Sequence, residues 1–264
     1  MKLTKKRFLG LVVVCFIILS GYYSLLHLRS DEITPDKVIY ERPVHDKLPR
    51  EIQNWIGDSK ELFLSQKRVF EGNTYILVTW GRKNTAGYSV KIDEVFNENS
   101  KLVLSMLFEN PPADSMVAQV LTFPYDLIVI DYEVSEVEFR SKEIEEYIPS
   151  LVGVPYVKGI CAQSANIKLF EPSFSGTKKR NIHVDGIIWV FEATYQYRIV
   201  DFNGVEVVSG FSMAKAGGPD WGYFNLFLTI PETAPKGEYS LEVFTLSFKD
   251  GSKQDTVRVI FNIE

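Results

Sequence analysis

From Thr74 onward, apolar side chains fall in short strand-length runs, alternating in period two most clearly over Tyr88–Phe96, and turn-forming residues separate the runs. That period puts alternate side chains on opposite faces of a pleated strand, so it constrains the fold more than any other feature of the chain. Four runs come first and predict strands at 74–80, 88–96, 101–108 and 125–130. Asn97-Glu98-Asn99-Ser100 makes a hairpin of the middle two, and Pro111-Pro112, which lack amide donors, stop pairing after the third. A second series at 167–170, 182–184, 189–200, 205–211, 223–230, 239–248 and 256–263 follows. Asp201-Phe202-Asn203-Gly204 and Lys249-Asp250-Gly251-Ser252 punctuate it as tight turns. Seven short strands in about 100 residues predict a sandwich of two sheets. Ahead of all this, Ile52, Trp55 and Ile56 share one helical face, which predicts a short helix after Pro49 with Gly57 as its stop.

The first thirty residues differ in kind. Lys2, Lys5, Lys6 and Arg7 precede Phe8–Leu28, a stretch with no Asp, Glu, Lys or Arg. Its length suits a bilayer-spanning helix, and the basic flank predicts a cytoplasmic N-terminus with the remainder exported. The small residues that a signal cleavage site needs are poorly placed around Gly21 and Ser24, so an uncleaved anchor is preferred to a cleaved signal that would release the protein. Lipidation at Cys15 is disfavoured because Val14 precedes it. The only other cysteine, Cys161, lies in the exported part, which must then hold together without an internal disulfide.

Charge excludes one class of partner. With the four N-terminal cations set aside, 25 basic residues face 34 acidic ones. Phosphate contacts supply most nucleic-acid affinity, and such a surface repels a polyanion. Catalytic constellations are also missing from the pattern. Of three histidines, His27 lies at the membrane, His45 in a polar stretch and His183 in a strand, without a Gly-x-Ser-x-Gly elbow near any of them. His183 and Asp185 read as a surface pair, and Cys161 as a small buried apolar residue. Ser212-Met213-Ala214-Lys215 has the spacing of a Ser-x-x-Lys nucleophile motif. Ala216-Gly217-Gly218-Pro219 follows at once and denies it the helix that would align the pair. Neither a cofactor nor a metal site is expected.

Two stretches resemble known families. Gly81-Arg82-Lys83-Asn84-Thr85-Ala86-Gly87-Tyr88-Ser89-Val90 is similar to the signature of the PrcB C-terminal domain, a family named for an accessory subunit of a bacterial surface protease complex. The resemblance continues through Pro111–Val120 and Phe123-Pro124-Tyr125, and covers roughly 50–133. The last hundred residues resemble the immunoglobulin-like module of GerM-type spore germination proteins. The matching features are Ile167–Pro172, Val184-Asp185-Gly186, Phe191-Glu192-Ala193, Arg198–Asp201 with Gly204, Trp221–Phe224 and Asp250-Gly251-Ser252. The repeated domain that gives those proteins their name is missing here.

The fold class expected is therefore mainly β: an N-terminal transmembrane helix, a β-rich α+β domain and a C-terminal immunoglobulin-like sandwich. The expected boundaries are 1–28 for the anchor, 29–47 for a stalk, 48–135 for the PrcB-like domain, 136–163 for a linker and 164–264 for the sandwich. Both resemblances imply binding without catalysis, in the envelope of a Gram-positive bacterium. The expected function is an anchored adaptor for an envelope or secreted protein, such as a protease or sporulation complex, with cell-wall glycan as another ligand class. The alternatives are a structural envelope protein that self-associates through sheet edges and, more remotely, a cryptic hydrolase. Candidate partner-binding residues are Lys83, Thr85, Gly87, Tyr88, Gln119 and Trp221. For Thr85 and Gly87 a local turn role competes with binding, and for Trp221 a core role does.

Overall fold

The structure, a computed structural model, describes residues 36–142, 147–173, 177–247 and 249–264. It corrects the expected fold class in its first element. No helix among the described residues is long and apolar enough to cross a membrane, and the predicted span at 8–28 lies outside them. What is described is mainly β with one α-helix.

Helix α1 (Arg50–Ser59) turns Ile52, Trp55 and Ile56 inward. It passes through Gly57 rather than stopping there, and Lys60 N–H closes its last turn on Ile56 O (2.9 Å). Strands β1 (Phe63–Phe70), β2 (Asn73–Trp80) and β5 (Tyr125–Ile130) form a sheet of order β1-β2-β5. Strands β3 (Ser89–Glu98), β4 (Lys101–Glu109) and β6 (Val137–Ser141) form a second sheet, with β4 and β6 parallel. Strand β2 is buried on both faces, which is why Thr74–Trp80 reads as a near-continuous apolar run. Ile76, Val78 and Trp80 enter the core between the sheets with Ile92, Leu104, Met106, Phe108 and Ile128. Tyr75 and Leu77 point the other way, into a core with Ile52, Trp55 and Ile56 of the helix. Residues 38–47 run along this module rather than forming a stalk: Val38 N–H donates to Val95 O (3.2 Å), and Glu41 pairs with Val129 through two backbone bonds of 2.9 Å.

The second module is a sandwich. One of its sheets is built on β7 (Ile167–Glu171), β8 (Asn181–Ile188) and β11 (Trp221–Thr229). The other is built on β9 (Thr194–Asp201), β10 (Glu206–Met213), β12 (Gly237–Leu246) and β13 (Lys253–Ile263), in the order β13-β12-β9-β10. Alternation fills the space between them: Ile167, Leu169, Val184, Ile188, Phe224 and Leu228 from one sheet meet Tyr195, Ile199, Leu241, Val243, Val259 and Phe261 from the other. The predicted strand over 189–200 is interrupted. Phe191–Ala193 forms a 3-10 turn in which Glu192 and Ala193 take positive φ (58° and 57°), so the strand begins at Thr194.

Residues 136–163 join the modules instead of spacing them. Strand β6 belongs to the first module, while Leu151–Val152 pairs in parallel with Trp221–Gly222 and Ala162–Gln163 pairs with β7. Gln66, only 2% exposed, ties the parts together: its Oε1 accepts from Trp55 Nε1 (2.9 Å) and from Val157 N–H (2.8 Å). The outer face of the β7-β8-β11 sheet contributes Phe170, Ile187 and Trp221 to the same core as α1. The two modules therefore share a third hydrophobic core. Nearby, Asp185 is 2% exposed; its Oδ2 accepts from Tyr223 OH (3.0 Å) and from Lys158 Nζ (3.2 Å). Asp185 is therefore no surface partner of His183.

Candidate functional site

The PrcB-like signature lies on the loop from β2 to β3, residues 81–88, and a longer loop from β4 to β5, residues 110–124, runs beside it. Gly81 takes φ of +67° and ends β2. Gly87 takes φ of +92°, and a Cβ there would lie 2.8 Å from Pro111 Cβ and 3.2 Å from Val117 Cγ1. Only glycine permits both the backbone and the close approach. The loops are laced together by backbone bonds. Lys83 and Thr122 exchange two (2.9 and 3.0 Å), Ala86 N–H donates to Ala118 O (3.0 Å), and Trp80 N–H donates to Pro124 O (2.9 Å). Thr122 Oγ1 adds a bond to Thr85 O (2.8 Å).

An aromatic and cationic cluster braces the base. Trp80 is 3% exposed, with the Tyr88 ring edge-on at 5.6 Å and the Phe108 ring at 5.1 Å. The Lys83 ammonium sits 3.7 Å above the Trp80 ring and 5.2 Å from that of Tyr88. Such a cation over an aromatic face contributes about 0.5–2 kcal/mol, depending on its exposure to solvent. Lys83, Thr85, Gly87 and Tyr88 are thus brought together, and they act as framework: the lysine folds back onto its own module, the threonine offers its carbonyl and the glycine makes room.

What the framework presents is apolar. Met116 is fully exposed, and Val120 and Leu121 are about half exposed. Gln119 is also exposed, with a single long contact from its Nε2 to Val117 O (3.5 Å). The tip of the longer loop is held in shape by the double use of Pro112 O, which accepts from Ser115 N–H (3.0 Å) and Ser115 Oγ (2.7 Å). Reading the sequence for motifs singled out the framework residues and passed over Met116, Val120 and Leu121 as contacts. The available signal was three large apolar residues in a loop too irregular for a strand.

The other candidates fall elsewhere. Trp221 is 7% exposed and its ring belongs to the core shared by the modules, so it is not an exposed anchor. His183 stacks on Phe227 (4.8 Å) and contacts Asn225 Oδ1 through Nε2 (3.0 Å). The Cys161 thiol bonds Pro172 O (3.2 Å), and burial, helped by the charge of Glu171, pushes its pKa up to about 11. A thiol held protonated at neutral pH is a poor nucleophile. Ser212 and Met213 lie in β10, so Lys215 is not one helical turn from Ser212. Among the described residues, no three His, Cys, Asp or Glu side chains cluster as a metal site would require. A groove of about 640 Å³ opens between α1 and residues 156–159. Two of its charges engage each other: Arg68 bonds Glu51 (2.8 Å) and stacks over Tyr156 (4.5 Å). Burial raises the Asp58 carboxyl above the usual aspartate range, against the pull of a backbone bond from Ile160.

Comparison with known proteins follows the same division. Residues 74–131 match the PrcB C-terminal family, and residues 166–252 match the immunoglobulin-like domain of bacterial spore germination. No curated protein matches the chain. Among solved structures, the crystal structure of the C-terminal domain of wzt is similar over 41% of this chain and 76% of that one, at 12% identity and a TM-score of 0.26. That likeness is too slight to carry an argument. The two matches thus fall along the chain in the order that the resemblances imply, the PrcB C-terminal family first and the immunoglobulin-like domain of bacterial spore germination second.

Proposed function

We propose that this chain is a non-catalytic, extracytoplasmic binding protein that presents the paired loops of its PrcB-like module to a protein partner. The observation that carries the proposal is the exposure of Met116, Val120 and Leu121 on a loop held by five hydrogen bonds to β2 and its neighbouring loop. Large apolar side chains kept in water by a rigid framework are disposed to be buried against something, at little cost in ordering. Their chemistry favours a protein surface over a glycan, which would call for polar groups around flat rings. Support for the setting comes from the matches: both families are of accessory rather than enzymatic type, and a germination immunoglobulin-like domain favours a place outside the cytoplasm. The partner class is an envelope or secreted protein, a germination assembly or a protease complex among them.

A photo-crosslinking amino acid at Met116, in cells producing the chain, tests this. The expected result is an adduct with a discrete envelope or secreted protein that does not form from the exposed Ser252 turn in the second module. Equal adducts from both positions, or none from Met116, would overturn the proposal.

A further inference from the structure

Strand edges present unpaired backbone donors and acceptors, and natural proteins blunt them with short strands, charges or covering segments. This molecule does so nearly everywhere. In the sandwich, Leu151–Val152, Ala162–Gln163 and Thr177–Lys178 are two-residue edge strands. In the first module, β1 carries Lys67 and Arg68 and donates Ser65 N–H to Pro149 O, β5 is paired by Glu41, and β6 carries Glu138 and Arg140. Among the described residues two uncharged lengths are left open: Phe224–Thr229 of β11, and Val207–Met213 of β10, which is open along its whole length. Strand β10 pairs with β9 along one side, and among the described residues no strand pairs with its other side. It is eight residues long, with neither a charge nor a proline from Val207 through Met213. Phe211 (72%) and Met213 (66%) stand exposed on its outer face.

We propose that β10 is the seam of a homodimer, with two copies pairing antiparallel across a two-fold axis normal to the sheet. Unpaired backbone groups call for another extended strand, and the same strand of a second copy fits without a clash of charge. A two-fold of this kind keeps each residue on its own face, so odd positions meet odd positions and even meet even. Central registers set Gly210 or Phe211 opposite its own copy. Glu206 then falls opposite Ala214 or Ala216, and no like charges oppose each other along the seam. Arg198 and Lys253 beside the strand are held within each copy, both donating to Glu242 (2.7 and 2.6 Å). An eight-residue seam with two exposed apolar side chains is small for an interface, so the dimer is reversible. This inference is independent of the loop pair: either site can fail alone.

Sedimentation velocity of the full chain, in mild nonionic detergent because residues 8–28 are apolar, reads the outcome. The wild type is expected to pass from monomer to dimer between about 1 and 100 µM. The double variant Phe211→Lys/Met213→Lys places like charges across the seam, and should weaken dimerisation at least about tenfold while leaving the thermal midpoint unchanged. Amides of residues 207–213 should gain protection from hydrogen exchange as the wild-type concentration rises. A wild type that stays monomeric, a dimer indifferent to the two lysines, or protection that rises only when a different protein is added would each overturn the proposal.

Discussion

Replacing Trp221 with alanine separates a structural tryptophan from a recognition tryptophan. The ring is 7% exposed and lies in one core with Ile52, Trp55 and Ile56 of α1, Leu77 of β2 and Phe170 and Ile187 of the sandwich. Truncating a buried tryptophan costs about 3–5 kcal/mol, the sum of lost apolar transfer and the cavity left behind. Because residues from both modules line that cavity, the loss should fall on their coupling. Guanidinium unfolding followed by hydrogen exchange in peptides of β2 and β8 is the assay. In the wild type both peptides should lose protection in one transition. In Trp221→Ala the midpoint falls and the two transitions separate, with β2 and β8 opening independently. A variant that unfolds in a single transition within about 1 kcal/mol of the wild type would refute the shared core.

Three further outcomes follow from particular residues. Gly87→Val introduces a side chain at positive φ and against Pro111, and should cost about 2–4 kcal/mol while loosening the 110–124 loop, read as a lower denaturation midpoint with faster amide exchange there. Gly57→Ala should stabilise by about 0.5–1 kcal/mol, because Gly57 lies within α1 with open space at its Cβ position; a scanning calorimeter would show a higher Tm. Glu242 is held below the ordinary glutamate value of 4.5, chiefly by its hydrogen bond from Arg198. Its contribution is therefore present above that value and lost as the pH falls through the lowered one, so Glu242→Gln should flatten the acid limb of Tm against pH between about pH 5 and 3.

Strands that are dense apolar runs were legible to within a residue or two, because burial on both faces leaves few polar positions: β4 and β5 start where Lys101 and Tyr125 announce them. Strand β1 was not, because Ser65, Gln66, Lys67 and Arg68 interrupt the apolar pattern. It is buried through hydrogen bonds to Pro149 and Val157, partners more than eighty residues away that no local window contains. The same holds for 136–163. Its few apolar residues look like a spacer until Leu151 and Val157 are seen to fill a core supplied by two distant modules. The helix runs past Gly57 because that position faces outward, where glycine costs only propensity. At the site, the motif was legible because glycine and aromatic spacing reflect backbone demands. Its side chains turned inward, as Lys83 over Trp80 shows, and exposure of the Met116 tip depends on how two loops pair.

The most direct test of a binding surface at the loop tip is an affinity. With the protein captured from Met116 in hand, its dissociation constant would be measured for the wild type and for Met116→Ser/Val120→Ser/Leu121→Ser, whose altered side chains are fully (Met116) or about half (Val120, Leu121) exposed. Removing the apolar tip should weaken binding by at least about 2 kcal/mol, roughly 30-fold, with the fold retained and the thermal midpoint only slightly lowered. Equal affinity for the two proteins would contradict the account.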